Sequence, residues 1–175
     1  MVELSFLRDM VAIFGVIAGF CYYILVLRNQ IKTRQAQLFS SLSKDFSDYD
    51  SWLRNRDLLY MEWDDYDDFE KKYGSDTNPV AYAKRLAVWT LCNNLGILLK
   101  ENLVDEEMVY DSIGGSIMLM WDKWEPIIQE QRIRYMGPNF MEHHEYLINR
   151  MRKIQTSRGI QWKPPRTSIK YVIDQ

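Results

Sequence analysis

Residues 105–127 read DEEMVYDSIGGSIMLMWDKWEPI, and the spacing of their apolar side chains decides the fold class. Val109, Ile113, Ile117, Met120, Trp124 and Ile127 recur at intervals of four, four, three, four and three. That is the period of one helical face, not the alternation of a strand. Asp105 stands at an N-cap position, and Glu106 and Glu107 follow it where the helix end is positive. Pro126 lacks an amide proton, so a kink or break is expected after Trp124. Gly114 and Gly115 remove two side chains from the helix and leave room for a partner such as a tryptophan.

The flanking sequence gives the same period. Upstream, Asn78 before Pro79 is a helix start that combines a capping side chain with a residue preset for the first turn. Val80, Ala83, Ala87, Leu91, Leu95 and Leu98 then form the expected inner stripe, ending near Glu101. Asn93 and Asn94 interrupt this helix, and at least one must face the interior, where a structural hydrogen bond is its expected partner. A further helix, from about Tyr49 to Trp63, is expected to use Trp52, Leu53, Arg56, Leu59 and Trp63 as its face. A short helix reaches Tyr73, and 74–78 reads as a loop. Downstream, a helix over 139–156 carries Phe140, His144, Leu147, Met151 and Ile154. No stretch alternates strongly enough for a strand, although 168–173 is β-prone. The soluble part is therefore all-α, a bundle of four or five helices over 48–156 with a loose basic tail over 157–175.

The N-terminal region has a different composition. Met10 to Leu27, MVAIFGVIAGFCYYILVL, contains eighteen residues without a charge. About 20 such residues span a hydrocarbon core of roughly 30 Å, so residues 1–28 read as a single transmembrane anchor, slightly short. A cleaved signal peptide fits less well, because the first nine residues hold one base against two acids and no small-residue cleavage site closes the run. Residues 29–47 lack proline and glycine and read as a helical stalk. Arg28, Lys32, Arg34 and Lys44 follow the span whereas Arg8 alone precedes it, so the N-terminus is expected outside the cell membrane and the bundle in the cytoplasm. Gly15 and Gly19 are the candidate contact for a homodimer through the anchor, although glycine is common in membrane helices in any case.

The formal net charge of -2 conceals an asymmetry. Residues 62–70 carry six acids and no base, while 150–170 carry seven bases and no acid. Nucleic acid is not an expected partner, since the chain is not basic overall. Arg158, Lys163, Arg166 and Lys170 are candidates for contact with an anionic membrane surface, where each cation contributes about 1 kcal/mol. Cys21 and Cys92 make neither a disulfide framework nor a zinc site. The acidic run lacks the offsets and central glycine of a calcium loop. His143 and His144 are adjacent, not three or four apart, so they do not share a helix face as metal ligands do. No nucleophile elbow, P-loop or dinucleotide fingerprint is present, and no catalytic, cofactor-binding or metal-binding residue is assigned.

Three stretches in order, LAVWTLCNNLGILLKENLVDEEMVYDSIGG (86–115), MWDKWEPIIQEQR (120–132) and NFMEHHEYLINRM (139–151), resemble a class of uncharacterised prokaryotic proteins. These have one N-terminal membrane helix and a small cytosolic helical domain of unknown function. The resemblance implies an anchor and a helical domain, and it carries no activity. The expected function is a non-enzymatic, membrane-tethered interaction or regulatory module with a protein partner at the cytosolic face. Two rival readings are an accessory subunit of a larger membrane complex and a metal-dependent membrane-bound hydrolase or effector using the acidic cluster.

Overall fold

In a computed structural model that describes residues 2–163, all regular structure is helical, and no strand occurs among the described residues. The chain falls into two compact units, one ending at Leu38 and the other beginning at Phe39. Helix α1 (Val2–Ser47) supplies the first unit and the opening turns of the second. Its apolar run is long and hydrophobic enough to cross a membrane, and none of that window is buried. Phe39 and Phe46, by contrast, are buried in the second unit.

That second unit is the expected helical bundle. Asp48 caps α2 (Tyr49–Leu59) by accepting the Ser51 amide at 2.7 Å. The helix ends four residues short of the expected Trp63, because Trp63 is drawn into the core against Trp124, with ring centroids 4.9 Å apart. Its inner face also differs from the apolar count. Ser51 and Leu58 are buried, while Trp52 is 62% exposed. Asp65 caps α3 (Tyr66–Tyr73), and Asn78 caps α4 (Pro79–Lys100) through the Ala81 amide at 3.0 Å.

The inner stripe of α4 is rotated by about one residue from expectation. Ala81, Arg85, Val88, Cys92, Leu95 and Leu99 are buried, whereas Val80, Ala83 and Ala87 are exposed. An arginine and Gly96 occupy core positions, which a count of apolar residues passes over. Where α4 crosses the last helix, α7 (Glu142–Ser157), a Cβ built on Gly96 would lie 1.9 Å from the His143 carbonyl oxygen. Only a residue without a side chain fits there. Helix α7 starts three residues later than expected, after Met141 in a left-handed conformation with φ 56° and no capping side chain of its own. Asn93 of α4 takes that role instead, accepting the His144 amide at 3.2 Å. Asn94 is exposed.

Asp105 caps α5 (Glu106–Val109), accepting the Met108 amide at 2.9 Å. The helix then passes through a π turn (Tyr110–Gly114) into α6 (Gly115–Gln131). All six residues of the expected stripe are buried. Pro126 lies inside α6 without ending it. An interior proline costs about 3 kcal/mol. Burial of Trp124, Ile127 and Ile128 around it, at about 1.5–3 kcal/mol per large apolar side chain, offsets that cost. Counting α5 and α6 as one rod, α2 to α7 make five helices among the described residues, where four or five were expected. A second π turn, Arg132–Met136, follows α6.

Candidate functional site

The acidic segment is organised by its own caps. Asp65 accepts the Asp68 amide at 2.8 Å, and Asp68 accepts the Asp64 amide at 3.0 Å and the Lys72 ammonium at 2.6 Å. That turn sends Trp63, Tyr66 and Phe69 inward at intervals of three and leaves Asp64, Asp65 and Asp67 exposed. The Glu70 carboxylate accepts the Tyr66 hydroxyl at 2.9 Å. The Lys72 ammonium beside it holds the Asp68 carboxyl below its ordinary range. Among the described residues no three His, Cys, Asp or Glu side chains converge as metal ligands would.

Beneath this edge lies an aromatic cluster with two cations inside it. The Arg85 guanidinium, 1% exposed, sits 4.5 Å from the Phe69 ring centroid and 5.2 Å from those of Tyr82 and Trp89, and it donates to the Tyr73 carbonyl at 3.3 Å. The Lys123 ammonium, 4% exposed, donates to the Met61 carbonyl at 2.7 Å and lies 4.2 Å over Trp63. Ring faces attract cations and compensate in part for lost water. Burial lowers both groups from their ordinary values, Lys123 to about 8. Sequence reasoning passed over both cations. The available signal was that Arg85 falls on the helical line joining Ala81, Val88 and Cys92.

The second π turn stands beside the acidic edge. Arg134 bridges Asp67 and Glu130 and lies 4.4 Å over the Tyr66 ring, and Tyr135 approaches Tyr66 at 6.5 Å between centroids. Arg132 donates to the Phe140 carbonyl at 2.8 Å and pairs with Glu145 at 2.7 Å. The turn is thereby fixed, yet Ile133, Tyr135 and Met136 are 80%, 68% and 55% exposed. A second apolar surface is a groove of about 410 Å³ beside α2, lined by Phe46, Trp52, Leu53, Leu59, Ile113 and Met120 among others.

The residues singled out by sequence are dispersed. A Cβ at Gly15 or Gly19 would meet nothing within 4 Å. Arg158 pairs with Glu107 and Asp111 and lies 4.7 Å over the Tyr110 ring, so its charge is engaged within the bundle. Lys163 is exposed, and Arg166 and Lys170 lie outside the described residues. Trp162 donates to Asp122 at 2.7 Å and comes 4.0 Å from a Cβ built on Gly115, the tryptophan contact expected of the glycine pair. His143 is half-buried beside Glu142. His144 is buried edge-on to Trp121 at 4.8 Å, and burial lowers its imidazole to about 3, so it is neutral. Burial raises the Cys92 thiol to about 12, which leaves it unreactive.

An apolar helix long enough to cross a bilayer, followed by a compact helical bundle, defines the structural class. The family model for a domain of unknown function, DUF4760, matches residues 10–151, and the chain belongs to that family. The match begins at the first residue of the uncharged run, so the apolar helix and the bundle form one family unit. No curated protein and no solved structure matches the chain.

Proposed function

We infer that this chain is a single-pass protein of the cell membrane, with its N-terminus outside, and that its cytoplasmic bundle is a non-catalytic interaction module. The observation that carries this reading is the pairing, in one chain, of a wholly uncovered apolar helix with a bundle that leaves Tyr49, Trp52 and Tyr60 exposed on one surface and Ile133, Tyr135 and Met136 exposed on another. Lipid complements the first, and a protein partner complements the second. Exposed apolar patches on an otherwise well-packed domain mark interaction sites. Contact of Lys163, Arg166 and Lys170 with the inner leaflet belongs to the same reading.

Alkaline extraction of membranes combined with protease protection tests it. The expected result is a chain that stays in the pellet, keeps its N-terminus and is digested only when the cytoplasmic side is opened. Recovery of the bundle in the soluble fraction with its first residues removed would overturn it. A second reading, an accessory subunit of a larger membrane complex, is favoured by the open helix face at Gly15 and Gly19. Native mass spectrometry of the detergent extract separates a heteromeric assembly from a monomer or homodimer.

A further inference from the structure

We propose that the π turn 132–136 and the acidic edge of α3 form one docking surface, whose partner is a polypeptide segment that sets Lys and Arg around an apolar stripe. This rests on reading the bundle as an interaction module, and it names the surface and the chemistry of the partner.

The surface is contiguous, since Arg134 reaches Asp67 and Tyr135 lies against Tyr66. Its centre is apolar and preformed. The π turn adds a residue to the helical repeat, a device common at functional sites. It carries Ile133, Tyr135 and Met136 away from the face that buries Ile127, Ile128 and Gln131. Arg132 and Arg134 tie the turn down at both sides, so little ordering accompanies binding. The rim is acidic. Asp64, Asp65 and Asp67 are exposed, and the Arg134 charge is shared between two carboxylates. An apolar centre with a negative rim selects a partner with a positive rim, because like charges brought together oppose binding. The groove beside α2 lacks such acids, since Arg56 is the one charged residue among those that line it.

Site-directed photocrosslinking on the full chain in phosphatidylcholine nanodiscs tests the proposal. A benzophenone amino acid replaces Tyr135 in one variant and Trp52 in another. The probes are two synthetic amphipathic helices with the same leucine stripe, one otherwise lysine and one otherwise glutamate. The expected result is an adduct at position 135 with the lysine probe at least about tenfold above the glutamate probe, falling steeply as salt rises from about 50 to about 500 mM. Asp64→Asn with Glu130→Gln should lower that yield severalfold without changing the helical circular dichroism. Equal yields from the two probes, a preference for position 52, or adducts between two copies of the chain would each overturn it. Incorporation of the chain into the disc is read separately by co-elution, so failure of the membrane reading is distinguishable from failure of this surface.

Discussion

The seam between α4 and α7 and the edge formed by α2 draw on similar residues and end in opposite states. At the seam the backbones nearly touch, with Gly96 against the His143 carbonyl and Asn93 capping the partner helix. Leu147, Ile148 and Met151 on α7 are fully enclosed. At the α2 edge, Tyr49, Trp52 and Tyr60 stay exposed and a groove remains open beside them. The difference lies in close approach. A glycine at the crossing lets two helices interdigitate along their length, whereas the bulky, polar-interrupted face of α2 buries only Ser51 and Leu58 and meets α4 through the Asp57–Lys84 ion pair at 2.8 Å.

That contrast is open to measurement by thermal or denaturant unfolding of the bundle, followed by circular dichroism. Ile148→Ala should cost about 2–5 kcal/mol, since the cavity has no room to collapse at an interlocked site. A loss under about 1 kcal/mol would mean that α7 is not tightly held. The buried imidazole gives the next largest effect. Unfolded histidine titrates near 6.5 and folded His144 near 3, so below pH 6.5 the unfolded chain binds a proton that the native state refuses. Its contribution is therefore complete above pH 6.5 and is lost as pH falls toward 3, by about 1.4 kcal/mol per pH unit. His144→Met should flatten the acid limb by up to about 2.7 kcal/mol between pH 6.5 and 4.5, and an unchanged slope would refute a neutral buried ring.

Gly96→Ala should destabilise by about 1–3 kcal/mol through overpacking, although alanine is the better helix former by about 1 kcal/mol. A stabilised variant would show that the crossing is looser than the geometry indicates. Asn93→Ala should cost about 1 kcal/mol, the ordinary value of a lost cap, with hydrogen exchange accelerated at the first turn of α7. Trp52→Ala should change stability by less than about 0.5 kcal/mol, the usual range at an exposed site. A larger loss would make the α2 edge part of the core and close the comparison.

Where helix boundaries follow from local chemistry, they were legible. Asn78, Asp105 and the face of α6 are as the sequence indicates, because a cap involves residues three apart and an amphipathic stripe needs no knowledge of the partner. The phase of α4 was not legible. Its core includes Arg85 and Gly96, and both enter the interior for reasons supplied by other segments: aromatic rings from α3 and α6, and the backbone of α7. The end of α2 was hidden for the same reason, since Trp63 leaves the helix to meet Trp124. The acidic segment was legible as a solvated edge. The apolar tip beside it was not, because a π turn reverses the meaning of the apolar count over 132–136.

By itself the sequence determined that this chain is all-α, that one N-terminal helix is apolar enough for a bilayer, and where most helices begin. Composition and near-neighbour hydrogen bonding settle those matters within a few residues. Only the tertiary structure decided which faces turn inward, that Arg85 and Lys123 are buried against aromatic rings, and that Ile133, Tyr135 and Met136 stand exposed beside an acidic edge. Those outcomes depend on side chains distant in the sequence, whose burial outweighs local preference by a few kcal/mol per large residue.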